Sequence, residues 1–136
     1  MIEPGAACPC GRSGSGNRLF SFARCCGRFL DPDSNTPAPD AETLMRSRYT
    51  AYVVGDKDYL LATWHASTRP TALPAGDQAK WLGLEVRDHS MPDSTHAQVE
   101  FVARYRVGGR GARLHERSRF VREGGRWYYV AGGMIT

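Results

Sequence analysis

Four cysteines, Cys8, Cys10, Cys25 and Cys26, stand in the pattern C-x-C-x14-C-C, and no other cysteine occurs in the chain. Thiols used only as small apolar packing groups scatter through a core. Four thiols gathered in two tight pairs suit one tetrahedral site instead, and zinc is the ordinary guest of four thiolates. The flanks agree. Gly11 and the run Ser13-Gly14-Ser15-Gly16 can turn tightly and aim backbone N–H groups at sulfur, which eases the charge of a four-thiolate site. Most such sites are closed and structural, so the chemistry expected here is that of holding a fold. Disulfides and free or redox-active thiols are the alternatives. A bridge between the neighbours Cys25 and Cys26 is strained. Bridges between the pairs need an oxidising compartment, and the N-terminus MIEPGAACPCG has neither the charged nor the apolar region of an export signal. The expected location is the cytoplasm.

A second set of chemistry-bearing residues lies where apolar ones are expected. Glu116 and Ser118 share a strand row with Ala112, Leu114 and Phe120. A carboxylate on a core-facing row costs several kcal/mol unless something pairs with it. The helical layer offers Arg46, beside Met45 and Tyr49, and Arg48, roughly half a helical turn away, with Arg46 favoured as the inward-reaching one. His65, next to Trp64, completes the group. Arg46, Tyr49, Trp64, His65, Glu116 and Ser118 are therefore the expected pocket residues, and a structural ion pair closing the open end of a curved sheet is the competing reading. His89 and His96 flank a Pro-Asp turn and are expected to be exposed, and His115 lies on an arginine-bearing face. Phosphate-binding, dinucleotide-binding and serine-hydrolase motifs are absent from the sequence.

These residues must be positioned by two helices and a set of long strands. The sequence divides into a cysteine module at 1–30, the linker DPDSNTPAPD at 31–40 and a second unit at 41–136, of which residues 41–133 are expected to fold without the module. Asp40 is placed to cap a helix over 41–54 whose Leu44, Met45, Tyr49, Tyr52 and Val53 form one apolar face ending at Gly55. Asp56 caps a second helix over 57–65, and a short helical turn is expected at 77–81. From Gly83 the period becomes two. Strands are expected at about 83–91, 96–107, 111–122 and 126–131, with Gly108-Gly109 and Gly124-Gly125 as hairpin turns. Helices followed by a meander make an α+β pattern.

Composition narrows the partners. The formal charge is +4, and the basic excess is arginine, sixteen against two lysines, which suits carboxylate, phosphate and planar groups. No apolar stretch is long enough to span a membrane. The sheet arginines lack interleaved exposed aromatics, which argues against base stacking and sequence-specific nucleic-acid binding.

The blocks LMRSRYTAYVVGDKDYLLATWH, WLGLEV, FVARYRVGG, HERSRF and GGRWYYVAGG resemble the bacterial YchJ-like proteins over about residues 40–133. That resemblance implies a SEC-C zinc module joined to a nuclear transport factor 2-like domain, a cone of helices laid in a curved antiparallel sheet. CPCG falls at Cys8-Pro9-Cys10-Gly11 and CCG at Cys25-Cys26-Gly27, so all four cysteines take ligand positions. The spacer is fourteen residues where SEC-C usually has eight, an added loop-closure cost of only about 0.5 kcal/mol. The second cysteine module that many members carry does not follow the WYYV strand here. By similarity to the SEC-C tail of the SecA translocase, the module is expected to present Arg12, Arg18, Arg24 and Arg28 to a protein or ribosomal partner. The cone is expected to offer a small pocket. The alternative is an isomerase- or hydrolyase-type enzyme using Glu116 and His65. An arginine-paired Glu116 would make a poor base, so binding is favoured over catalysis.

Overall fold

In the computed structural model, which describes residues 2–73 and 79–134, Asp40 caps its helix as the spacing requires. Its Oδ1 accepts the Thr43 N–H at 2.7 Å, and Gly55 ends the same helix in the left-handed region at φ 76°. The helices are Gly27–Leu30 (α1), Ala41–Val54 (α2) and Lys57–Ala62 (α3). The strands are Lys80–Asp93 (β1), His96–Val107 (β2), Arg110–Glu123 (β3) and Arg126–Met134 (β4), paired antiparallel in the order β1-β2-β3-β4. Gly108-Gly109 and Gly124-Gly125 all have positive φ, the requirement of two-residue type I′ turns. Register shifts within the β1–β2 and β3–β4 pairs bend the sheet.

Two boundaries differ from the sequence pattern for an identifiable reason. The second helix stops at Ala62 because the Thr63 carbonyl accepts from Tyr129 N–H at 2.8 Å and His65 N–H donates to Tyr129 carbonyl at 2.7 Å. These bonds draw residues 63–65 out of helix and into a parallel bridge with β4. The helical turn expected at 77–81 falls partly outside the described residues, and Lys80 and Trp81 belong to β1.

The inner sheet face carries Ala97, Val99, Phe101, Ala103, Phe120 and Trp127, which bury against Leu44, Met45 and Tyr49 of α2. The cysteines Cys8, Cys10, Cys25 and Cys26 belong to the same buried cluster. Hence α2 is covered on two sides rather than one, and Thr43, Ser47 and Thr50 are as buried as its apolar residues. On the outer face Arg117 donates to Gln98 Oε1 at 2.6 Å, Glu100 Oε1 at 3.2 Å and Asp88 Oδ2 at 3.1 Å. His115 meets Glu100 at 2.8 Å, so acidic neighbours partly neutralise that arginine-bearing face.

Asp40 links this architecture to pH. Burial acts to raise its pKa, but the Thr43 N–H and hydroxyl, followed by the Arg12 and His89 charges, outweigh burial and hold it below the usual value. A carboxylate with a lowered folded-state pKa stabilises the fold above its unfolded pKa, about 3.9, and loses that contribution as pH falls through the folded value. Asp40→Ala is expected to cost about 1 kcal/mol in urea melts at pH 7. The difference from wild type should shrink in melts taken well below pH 4.

Candidate functional site

The first cysteine pair sits on a tight knuckle. Gly11 takes φ 73° and donates its N–H to the Cys8 carbonyl at 3.1 Å. The second pair lies where a 3-10 turn, Phe22–Arg24, runs into α1, with Cys25 N–H on the Phe22 carbonyl at 3.0 Å. Gly27 is needed there because a Cβ would stand 2.7 Å from the Phe22 carbonyl oxygen. The long spacer folds into a small antiparallel loop through bridges Ala7↔Ser21 and Ser13↔Leu19, which brings its two ends together.

The four ligand atoms lie within 4.8 Å of one another, and all four residues are buried. Cys10 and Cys25 sulfurs are 3.5 Å apart, far beyond the roughly 2.05 Å of a disulfide, and all four thiols are free. Metal–sulfur bonds of about 2.3 Å in a tetrahedron require sulfur edges of about 3.8 Å, a value between the 3.5 Å Cys10–Cys25 edge and the 4.8 Å limit of the cluster. The thiols also conflict with one another. Bonds from Cys10, Cys25 and Cys26 push the Cys8 pKa down, and bonds from Cys25 and Cys26 bring Cys10 to about 7. Cys25 and Cys26 are pushed up, in both cases chiefly by Cys10. Four thiolates so close together need a cation, and a divalent soft-metal ion removes the conflict.

A polar clasp fixes this cluster to α2. Arg46 donates from Nη1 to the Cys10 carbonyl at 3.0 Å and from Nε to Glu42 at 2.9 Å. Arg12 donates to Thr43 Oγ1 at 2.8 Å and lies 3.8 Å from Glu42. Cys8 Sγ is 3.8 Å from Thr50 Oγ1. His89 Nδ1 approaches Glu42 at 3.9 Å from β1, and its Nε2 is buried without a partner among the described residues. His89 is thus half-buried rather than exposed, whereas His96 stays exposed beside Asp93.

On the other side of α2 a cavity of about 320 Å³ opens between the helix and the sheet. Arg48, Tyr49, Tyr52, Trp81, Glu116 and Ser118 line it together with Phe101, Phe120 and Tyr129. Ser118 donates to Glu116 Oε2 at 3.0 Å. The Arg48 side chain is buried, donating from Nη1 to Leu60 O and Thr63 Oγ1, both at 2.7 Å, with its guanidinium 4.5 Å from the Tyr129 ring. Desolvation holds its pKa below the usual arginine value.

Of the expected pocket residues, the structure brings Tyr49, Glu116 and Ser118 together. Arg46 is not in the cavity, because Glu42 and the Cys10 carbonyl hold it on the module side of the helix, and the inward arginine is Arg48. Among the described residues neither arginine forms an ion pair with Glu116. Trp64 stands behind the lining, 5.2 Å from the Arg48 guanidinium and edge-on to Tyr129. His65 faces away, with Nδ1 2.7 Å from Ser67 Oγ and Nε2 2.8 Å from Glu123. Residues 63–65 left the helix, and that change of path carries His65 out of the cavity. The sequence reading missed Tyr52, Trp81 and Tyr129 as lining. The available signal was the α2 spacing of Met45, Arg48, Tyr49 and Tyr52, which shares one face.

Comparison with known proteins agrees with both halves of this arrangement. A family profile described as "YchJ, middle NTF2-like domain" matches residues 40–132. A UPF0225 protein of Polaromonas sp. strain JS666 is 63% identical over 132 residues, covering 96% of this chain and 95% of that one. One from Chromobacterium violaceum is 57% identical, covering 93% and 92%. The solution structure of a SEC-C motif containing protein from Rhodopseudomonas palustris matches with TM-score 0.76 and 31% identity over 96% of this chain and 100% of that one. The crystal structure of a SEC-C motif containing protein from Psychrobacter arcticus matches with TM-score 0.77 and 26% identity, covering 96% and 83%.

Proposed function

The chain belongs to the YchJ-like family, and we propose that it is a zinc-containing cytoplasmic binding protein: zinc fixes the N-terminal module on α2, and the cavity beneath the same helix receives a small molecule. The observation that carries the zinc reading is the buried set of four free thiols within 4.8 Å. Cys8, Cys10, Cys25 and Cys26 would hold the ion, and its chemistry there is structural, since no ligand position is left for substrate. No helix among the described residues is long and apolar enough to cross a membrane.

The module is also the proposed contact for a macromolecular partner, and a protein surface suits it better than ribosomal RNA. Two of its four arginines are engaged internally: Arg12 on Thr43 and Glu42, and Arg28 on the Cys25 carbonyl and over the Phe29 ring. Arg18 and Arg24 are exposed, and Leu19 and Phe20 beside Arg18 are exposed apolar groups that a protein partner would cover. Binding is preferred over catalysis for the cavity because Glu116 and His65 are apart and each is engaged by other side chains.

Protein purified without chelator is expected to contain close to one zinc per chain by elemental analysis. A metal content near zero, with four rapidly titrating thiols in the folded protein, would overturn the zinc reading.

A further inference from the structure

The cavity under α2 contains an acceptor that the protein itself does not use. Glu116 lies on the inner row of β3, opposite Phe101 of β2. Ser118 holds its Oε2 at 3.0 Å, while Oε1 has no hydrogen-bond partner among the described residues. Oε1 is open to solvent, and Glu116 is one of the residues lining the cavity. The carboxylate is also seated from below. A Cβ at Gly132 of β4 would lie 2.6 Å from Oε1 and 2.7 Å from Oε2, so the absence of a side chain there is what leaves room for it. One oxygen tied and one free, over a glycine seat, makes an oriented acceptor.

The walls set the shape of what it could accept. Tyr49, Tyr52, Trp81, Phe101, Phe120 and Tyr129 surround the space. Tyr49 meets Trp81 edge-on at 5.8 Å, and Phe120 meets Tyr129 edge-on at 5.8 Å. Rings so placed present faces and edges to a third flat group, the preferred aromatic geometry. About 320 Å³ is at the small end of ligand cavities, enough for one or two rings.

The charges set its sign. Arg48 and Glu116 both line the cavity and do not touch, since Arg48 donates instead to Leu60 and Thr63. One fixed positive and one fixed negative group leave the cavity with no net charge. A monocation entering meets the Arg48 field, and a monoanion meets Glu116, both in a medium less screening than water.

We propose that this cavity binds a small, flat, net-neutral molecule of one or two rings that donates an N–H or O–H to Glu116 Oε1. The proposal rests on the reading of the cavity as a small-molecule site and names its ligand class. The test titrates the zinc-loaded full chain with benzamide and indole as neutral donors, toluene as a neutral non-donor, benzylammonium as a cation and benzoate as an anion. The readout is the indole N–H resonance of Trp81 together with the dissociation constant. Benzamide and indole are expected to shift the Trp81 signal and to bind at least tenfold more tightly than benzylammonium, benzoate or toluene. Glu116→Ala should remove that advantage. Gly132→Ala should weaken the donors about tenfold and leave the thermal melt within a few degrees of wild type, because the displaced atoms are the far end of a flexible side chain. Tighter binding of benzylammonium or of benzoate would overturn the neutral-donor class while leaving a small-molecule cavity standing. Donors that bind equally well to the Glu116→Ala chain would overturn the role of the carboxylate. If no probe moves the Trp81 signal, both the ligand class and the small-molecule reading fall.

Discussion

Removal of the metal, by chelation or by Cys26→Ser, is expected to lower the melting temperature of the whole chain by at least about 10 °C. A structural zinc contributes on the order of 10 kcal/mol to the fold that forms around it. Here that contribution should not stay within the module, because the cysteines share one buried cluster with Leu44, Met45 and Tyr49 of α2. Losing the module also uncovers Thr50, and leaves Arg46 without its bond to the Cys10 carbonyl. A cost of several kcal/mol corresponds to a shift of that size in a domain near this length. Zinc release and unfolding should coincide when one is followed with a chromophoric chelator and the other by near-ultraviolet circular dichroism. Acidification should act in the same direction, since protons compete with the metal for thiolates. Residues 41–136, freed of the module, are expected to keep a cooperative melt at a lower temperature. A chelated full chain that melts as the zinc-loaded one does would mean that the module rests on α2 without contributing to its stability.

Arg48→Ala should be the most damaging single change on the cavity side, at about 3–5 kcal/mol in denaturant melts. The side chain is 5% exposed. Its loss takes from the Leu60 carbonyl its 2.7 Å donor, leaving only the Thr63 hydroxyl at 3.4 Å, and opens a void beside the touching Tyr129 and Trp64 rings; the Thr63 hydroxyl keeps its bond to the Tyr59 carbonyl at 2.8 Å. An under-served buried carbonyl costs about 1–3 kcal/mol, and the lost packing of a large buried side chain supplies the rest. Arg48→Lys keeps the charge but not the planar group over Tyr129, so it should recover only part of the loss. Glu116→Ala should be much milder, about 1 kcal/mol, because the carboxylate is bonded to Ser118 and not to a buried cation. Equal losses for Arg48→Ala and Glu116→Ala would mean that the two charges are coupled across the cavity despite their separation, a point a double-mutant cycle would measure directly.

Much of this protein was determined by local rules that a sequence states openly. Capping needs a short acceptor at one position, so Asp40 and Asp56 marked two helix starts, and each accepts the N–H of the residue three further on, Thr43 and Tyr59. A type I′ turn needs positive φ twice, so the paired glycines marked two hairpins. Period two placed Glu116 and Ser118 on the inner row with Leu114 and Phe120, and all four line the cavity. The pairing of the cysteines announced a single four-thiol cluster, and their sulfurs do converge. What the tertiary structure decided was which face of α2 each neighbour covers. Arg46 and Arg48 are two residues apart on a helix, hence on different faces, and nothing local says which face meets the module and which the sheet. The answer came from Glu42, Thr43 and Thr50, which receive the module, and from the pairing of residues 63–65 with Tyr129, which turned His65 away. Those contacts join residues far apart in the chain. Their geometry depends on how the module docks and how the sheet curves, and neither is encoded in the spacing of any one segment.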